Sequence, residues 1–244
     1  MKKYSSTLHL AILLGVFGLG FTAAAQERDY GLWTGADIGQ KLNKRISLNL
    51  AGELKFKDTL TKVDEFLAEL GLGVKINSHF DLFGGYRLGR SDDNDAFFTN
   101  HRFTIGAKTD WDISRLKLGY SMRYEYEFAE IYTNGYNLEE SKRVRGRASL
   151  GYNLPNSKLT PFFSAELFYD MSPNKEREFN RIRYRLGSDY AINKRNKLEV
   201  FAQYQKNLNA KTDKSSVVLG LFYSFEMKQK REPVEAPSQE TVDK

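Results

Sequence analysis

The sequence predicts an all-β protein whose single domain is an antiparallel up-and-down transmembrane β-barrel of ten to twelve strands. Three observations predict it: apolar and polar side chains alternate, short and long connections alternate, and aromatic residues gather near the ends of the apolar faces. The alternation is clearest at residues 116–128, where seven apolar side chains alternate with six charged, serine or glycine residues. At about 3.3 Å per residue, such a strand is long for a soluble domain and suits a tilted membrane crossing.

Residues 1–25 have the pattern of a secretory signal peptide. Lys2 and Lys3 precede an apolar run over residues 8–21, and three alanines follow. We expect cleavage after Ala25, because the run is too short for a stable membrane span and ends in small residues.

The rest of the chain shows no internal boundary, so residues 26–225 are expected to form the barrel. Residues 226–244 are charged, contain Pro233 and Pro237, and lack periodicity, which predicts a disordered tail. No stretch after the signal segment reaches the roughly 18 apolar residues of a membrane-spanning helix.

Composition excludes several classes of protein. The chain has no cysteine, which rules out a disulfide framework and a lipidated cysteine anchor. Its net charge of +6 could suggest nucleic-acid binding, but the basic residues are spaced two apart along strands instead of clustering. We therefore expect no nucleic-acid partner.

Five predicted strands precede residue 112. The first, residues 30–42, alternates least regularly, with Trp33 on its polar side. The next four set aliphatic or aromatic side chains on one face against polar, charged or glycine residues on the other: 46–57, 66–76, 80–88 and 102–111. Asparagine and serine residues between several of them suit tight hairpin turns.

Six further stretches continue the alternation: 116–128, 143–154, 159–170, 181–192, 198–208 and 216–225. Eleven stretches conflict with the even strand number of single-chain bacterial barrels. Either the irregular first stretch is split in two, which gives twelve strands, or it does not join the wall, which gives ten.

The connections and the aromatic residues favour a membrane barrel. Short connections near residues 43, 77, 113, 156 and 193 alternate with longer polar ones near residues 59, 93, 134, 173 and 210. Aromatic residues near the ends of apolar faces suit interfacial girdles: Tyr30, Phe80, Trp111, Tyr126, Phe128, Tyr152, Tyr169, Tyr190, Tyr223 and Phe225. A soluble, lipocalin-like periplasmic barrel is the alternative, although it would bury the apolar face and expose the charged one.

Three short motifs resemble a known family. They are the segment Gly31-Leu32-Trp33-Thr34-Gly35, the turn Leu42-Asn43-Lys44 with the following Ser47-Leu48-Asn49-Leu50, and His101-Arg102-Phe103. Together they resemble the exported proteins, common in the Bacteroidota, that are catalogued as domain of unknown function 2490. The resemblance spans residues 31–225 and implies an outer-membrane β-barrel, but it brings no activity to carry over.

The polar face of the later strands carries the candidate site. If the apolar face meets lipid, these charged residues line the lumen: Arg123, Glu125, Glu127, Arg143, Arg145, Arg147, Glu166, Asp170, Arg181, Arg183 and Arg185. Neighbouring strands lie about 4.8 Å apart, so a guanidinium group can reach a carboxylate on the next strand.

Two interpretations of these charges stay open. The first is a set of structural ion pairs that fills a narrow lumen. The second is a small anion-preferring passage, because the inward set between residues 115 and 189 has ten basic residues against five acidic ones.

Catalytic and metal sites are poorly represented. The mature chain has two histidines, His79 and His101, and the residue two beyond His101 is Phe103, so the His-x-Ser spacing of phospholipase barrels is absent. The acidic run at residues 92–95 lacks the spacing of a calcium loop. We expect no enzyme, no cofactor and no metal.

The sequence therefore predicts a structural or small passive channel protein in the outer membrane of a Gram-negative bacterium. Its expected partners are outer-membrane lipid and the outer-membrane assembly machinery, and its oligomeric state is not predicted. A barrel that binds ligands or acts as an enzyme through loops near Asp93, Asn134 and Pro173 is the competing class.

Overall fold

The computed structural model describes residues 28–57, 62–93, 96–131, 137–173, 175–208 and 215–228, and their regular elements are β-strands. The strands are β1 (Arg28–Lys41), β2 (Ile46–Lys57), β3 (Lys62–Lys75), β4 (Phe80–Asp93), β5 (Ala96–Ile113), β6 (Leu116–Ile131), β7 (Asn137–Tyr152), β8 (Leu159–Asp170), β9 (Glu178–Ala191), β10 (Asn196–Asn207) and β11 (Ser215–Glu226). The described residues contain no helix that is long and apolar enough to span a membrane. The predicted signal peptide and the predicted tail beyond residue 228 lie outside the described residues.

The strands form one closed barrel. Each strand pairs antiparallel with its neighbours along the chain, and β1 closes the ring by pairing parallel with β11. This seam runs over twelve residue pairs, from Arg28↔Ser215 to Gly39↔Glu226. Eleven strands lie within the predicted range of ten to twelve. Neither ten nor twelve is the observed number. The first stretch forms one continuous strand, β1, which joins the wall, and its parallel pairing with β11 allows an odd number of strands to close.

The register around the wall fixes the width of the barrel. A path around the ring starts at Leu42, at the end of β1, whose amide donates a hydrogen bond to the Ile46 carbonyl of β2. Following the paired residue from each strand to the next around the ring leads back to β1 at Arg28. The displacement is 42 − 28 = 14 residues. With strand spacings of about 4.8 Å and rises of about 3.3 Å, this gives a tilt of about 41° and a Cα radius of about 11 Å. Such a ring is wider than the eight-stranded barrels that side chains fill.

The apolar faces of the strands point away from the barrel axis. Ile105 is 67% exposed and Leu219 is 54% exposed, whereas the inward Glu125 is 2% exposed. A soluble protein places these two classes of side chain the other way round. The outer surface is therefore apolar and the interior is charged.

Two bands of aromatic side chains border the apolar surface. One lies beside the short turns and contains Phe80, Trp111, Tyr152, Tyr190 and Tyr223. The other lies toward the long loops and contains Tyr126, Phe128, Tyr169 and Phe179. Trp111 pairs with Leu118 on β6, and Phe128 lies 128 − 118 = 10 residues further along that strand. At the tilt given above, the bands are about 25 Å apart, the height of the apolar band in outer-membrane barrels.

Three of the short turns are stabilised in the same way. The side-chain oxygen Oδ1 of Asn43 accepts hydrogen bonds from the amides of Arg45 and Ile46, each at 2.8 Å. Asn77 and Asn193 make the equivalent pairs of bonds at 2.9–3.0 Å. Each asparagine replaces backbone partners in the turn, which is why the residue recurs at this end of the barrel.

Two strands, β5 and β7, begin six residues earlier than the side-chain alternation predicts. β5 begins at Ala96 and β7 begins at Asn137, although the alternation starts near residues 102 and 143. Backbone pairing continues from Ile131↔Asn137 inward, so the β6–β7 hairpin extends beyond the apolar surface. Hairpin arms in water need no apolar face, and their residues therefore carry no periodic signal.

Inward phenylalanines pack against glycines on the next strand. The pairs are Phe83↔Gly106, Phe162↔Gly187, Phe201↔Gly220 and Gly35↔Phe222. A Cβ atom added to Gly220 would lie 2.0 Å from the Phe201 ring, so no larger residue fits there without movement. Such aromatic–glycine pairs allow a curved wall to stay closely packed.

Candidate functional site

The lumen is most strongly charged where β7, β8 and β9 run side by side. Alternate residues of a strand share a face, so each outer strand of this trio presents three arginines inward. We call these six residues the arginine belt: Arg143, Arg145 and Arg147 on β7, and Arg181, Arg183 and Arg185 on β9. The register places Glu166 of β8 between Arg147 and Arg183.

Glu166 lies at the centre of the belt. One of its oxygens, Oε1, is 2.8 Å from the Nη2 atom of Arg145 and 3.1 Å from the Nη2 atom of Arg123. The other, Oε2, is 3.2 Å from the Nη1 atom of Arg183. Glu166 is 5% exposed, so a single buried carboxylate is shared among three cations on three strands.

The carboxylates of β6 extend this network toward the long loops. Glu125 lies 2.7 Å from Arg145 and 3.1 Å from Arg143, measured between oxygen and guanidinium nitrogen. Glu127 lies 2.6 Å from Arg143 and also pairs with Arg102 of β5. Adjacent strands therefore exchange charge along the wall, as the sequence predicts for neighbours about 4.8 Å apart.

Three predicted site residues do not join the ion pairs. Within the part of the chain that the structure describes, Arg147, Arg181 and Asp170 have no oppositely charged group within 4.0 Å. Asp170 instead accepts hydrogen bonds from the Asn180 side chain at 2.8 Å and the Ser172 amide at 2.9 Å. The two arginines line a cavity of the lumen, and the guanidinium carbon of Arg181 lies 5.4 Å from the centre of the Phe168 ring.

Aromatic rings lie beneath the arginines. The guanidinium carbons of Arg145 and Arg183 lie 4.5 and 4.9 Å from the centre of the Phe168 ring. Arg183 also lies 5.2 Å from the Trp33 ring of β1, which is three strands away around the wall. This contact crosses the lumen and narrows it at the level of the belt.

Two cavities lined by the described residues lie in the lumen. The turn-end cavity has a volume of ≈ 780 Å³ and reaches the short turns, where Asn43 and Arg45 line it. The belt cavity has a volume of ≈ 480 Å³ and is lined by the arginine belt, with Trp33 opposite. Arg123 lines both cavities and therefore marks their junction.

Charge is unevenly distributed around the belt cavity. Its acidic lining residues are Asp37, Glu53, Asp64, Glu65, Glu166 and Glu199, of which four belong to β1–β3. Its basic lining residues are the arginine belt together with Lys55, Arg87, Arg102 and Arg123. Among the lining side chains alone the surplus is 10 − 6 = 4 positive charges. Glu69, Glu125 and Glu127 pair with lining arginines without lining the cavity, and counting them reduces the surplus to 10 − 9 = 1.

The sequence prediction of the site was incomplete. It covered β6 to β9 and did not include Lys55, Arg87 and Arg102, which line the same cavity from β2, β4 and β5. These residues show the same alternation as the predicted ones, so extending the inward set to every strand would have included them. The contact between Trp33 and Arg183 could not be predicted from the local sequence, because it forms only when the ring of strands is closed.

His101 lies on the outer face of the barrel. Its Nδ1 atom is 2.7 Å from the Tyr86 hydroxyl, and its ring stacks on Phe128 with centroids 4.8 Å apart. It is therefore part of the loop-end aromatic band. Within the described residues no group of three histidine or carboxylate side chains could hold a metal ion. The acidic side chains of residues 92–95 lie outside the described part.

Comparisons with known proteins identify a family. The family described as "Protein of unknown function (DUF2490)" matches residues 30–216. No curated protein matches the chain. Among solved structures, the translocator domain of autotransporter NalP from Neisseria meningitidis is similar at 16% identity and a TM-score of 0.40, over 91% of this chain and 87% of that one. The family match covers well over half of the sequence, so the chain belongs to the DUF2490 family.

Proposed function

We propose that the protein is an outer-membrane β-barrel whose lumen is a narrow passage for small anions. The membrane location is supported by the exposed apolar surface and by the two aromatic bands about 25 Å apart. A soluble, lipocalin-like barrel would need an apolar interior, whereas this interior holds ion pairs such as Arg145–Glu166.

One observation carries the anion preference: ten of the side chains that line the belt cavity are basic and six are acidic. Low-dielectric walls focus the field of such charges into the lumen. Rings of arginine and lysine in pores favour anions and repel cations. Many belt charges are neutralised by neighbouring carboxylates, so we expect a preference for anions over cations and not an exclusion of cations.

The proposed role is passive. It requires no catalytic group and no cofactor, and its proposed partners are outer-membrane lipid and the machinery that assembles outer-membrane barrels. If the ion pairs close the lumen completely, the same barrel is a structural wall protein.

Planar-bilayer recording tests this proposal. The full chain is inserted in a lipid bilayer, and the reversal potential is measured under a KCl gradient. We expect discrete conductance steps and a reversal potential of the sign that chloride preference gives. Absence of current from a barrel shown to be folded by heat-modifiable migration, or a preference for potassium, would contradict it.

A matched pair of variants locates the selectivity. The double variant Arg147→Gln/Arg181→Gln removes two lumenal cations that lack a carboxylate partner, and we expect it to reduce the chloride preference. The control Arg195→Gln removes a cation at a short turn, where Arg195 lies 5.9 Å from the Phe225 ring. We expect the control to leave the selectivity unchanged.

A further inference from the structure

Two arginines of the belt lack a counter-charge. Arg147 and Arg181 line the belt cavity, and within the described residues no carboxylate lies within 4.0 Å of either. The Nε atom of Arg181 is buried and has no hydrogen-bond partner there. Arg181 contacts the Phe168 ring at 5.4 Å but has no counter-charge there. A partly buried charge without a counter-charge is costly, and a bound anion would remove that cost.

The two arginines flank one strand. Arg147 belongs to β7 and pairs with Glu166, and Arg181 belongs to β9 and pairs with Phe168, so they lie on either side of β8. Two strand spacings of about 4.8 Å and an offset of two residues along β8 separate the two Cα atoms by about 12 Å, which two extended arginine side chains can bridge through a small ligand. Both face the same space of ≈ 480 Å³.

The existing carboxylates do not satisfy them. Glu166, the nearest on the register, is shared among Arg123, Arg145 and Arg183. The other acidic residues of the cavity belong to different strands: Asp37, Glu53, Asp64, Glu65 and Glu199. These carboxylates would repel an anion toward β7–β9, where the unpaired arginines are.

We propose that the belt cavity binds one small oxyanion with at least two negative charges, held by Arg147 and Arg181. Guanidinium groups bind phosphate and carboxylate oxygens in a bidentate fork, so either a phosphate or a polycarboxylate supplies the required chemistry. The site rests on the proposed function, because the ligand would reach it through the lumen. It adds to the proposed passage a binding site for the solute inside the lumen.

Trp33 provides a reporter in the native chain. The sequence contains two tryptophans, and Trp33 lines the belt cavity while Trp111 is exposed on the outer surface. The variant Trp111→Phe therefore leaves one emitter beside the proposed site. The full chain, folded in detergent, is titrated separately with pyrophosphate and with citrate, at an ionic strength held constant with KCl.

We expect a saturable change in Trp33 emission with at least one of the two probes. A response to pyrophosphate alone identifies a phosphate site, and a response to citrate alone identifies a polycarboxylate site. In the same background, Arg147→Gln/Arg181→Gln is expected to raise the Kd at least tenfold, whereas Arg195→Gln leaves it unchanged. Heat-modifiable migration checks that each variant is folded.

The site and the passage can fail separately. Emission that follows ionic strength alone, or a Kd that the double variant does not change, would overturn the binding site even if the barrel conducts anions. Saturable binding that depends on the two arginines, in a barrel that passes no current, would support the site and contradict the passage.

Discussion

At the scale of single residues, the lumen is organised by a few carboxylates that each serve several arginines. Glu166 contacts three guanidinium groups, and Glu125 contacts Arg143, Arg145 and, at 3.5 Å, Arg123. Burying one charge in this way is tolerable only because its partners are in place. Each shared carboxylate therefore offsets the repulsion between the arginines that it contacts.

Replacing Glu166 tests this role. Glu166→Gln leaves Arg123, Arg145 and Arg183 without a shared carboxylate. We expect the free energy of unfolding, measured by urea titration in lipid vesicles, to fall by about 3–5 kcal/mol. The control is Glu199→Gln, because Glu199 makes one ion pair at 3.5 Å and should cost about 1 kcal/mol or less. Equal losses in the two variants would show that sharing of the carboxylate is unimportant.

At the scale of elements, the hairpins are stabilised by side-chain hydrogen bonds in their short turns as well as by the two faces of their strands. Asn43, Asn77 and Asn193 occupy equivalent positions in three short turns, and each accepts two backbone hydrogen bonds. The same side-chain acceptor therefore fixes three of the short turns.

Asn77 provides the element-scale prediction. Asn77→Ala removes the acceptor for the amides of His79 and Phe80, and we expect it to destabilise the barrel by about 1–2 kcal/mol in urea unfolding. Asn77→Asp keeps an oxygen at the same position and should retain most of the stability. If the alanine and aspartate variants unfold alike, the two hydrogen bonds do not stabilise the turn.

The sequence could predict the faces of the strands but not the way the ring closes. Alternation alone identified Glu125, Arg145 and Glu166 as inward residues, because the period of a strand is local. Closure by β1 and β11 depends on register summed over eleven strands, and no local pattern encodes it. The same holds for the contact between Trp33 and Arg183, which exists only once the ring is closed.

At the scale of the whole molecule, the odd strand number places the first and the last residue of the barrel wall at opposite ends of the barrel. β1 begins beside the start of β11 at the long-loop end, and β11 finishes at the short-turn end. In a barrel with an even number of antiparallel strands, the start of the first strand and the end of the last strand would lie at the same end. The parallel seam is therefore a defining feature of this fold.

Cross-linking tests the seam. The native chain has no cysteine, so a pair can be introduced without interference. Leu32 pairs with Leu219, and Leu32→Cys/Leu219→Cys should form a disulfide under mild oxidation, because paired residues lie within disulfide range. The control Leu32→Cys/Tyr223→Cys displaces one partner by about 13 Å along β11 and should not cross-link. A disulfide in the control and none in the test pair would contradict the parallel register.

The central claim is that the strands present apolar side chains to lipid and charged ones to a water-filled lumen. Adjacent residues on β6 test it most directly: Tyr120 is exposed on the outer surface, and Ser121 lines the turn-end cavity. A fluorophore is attached to Tyr120→Cys or Ser121→Cys in vesicles, and quenching by brominated lipid is compared with quenching by aqueous iodide. We predict that brominated lipid quenches the probe at residue 120 and that iodide quenches the probe at residue 121. The opposite pattern, or iodide quenching at both positions, would contradict the account.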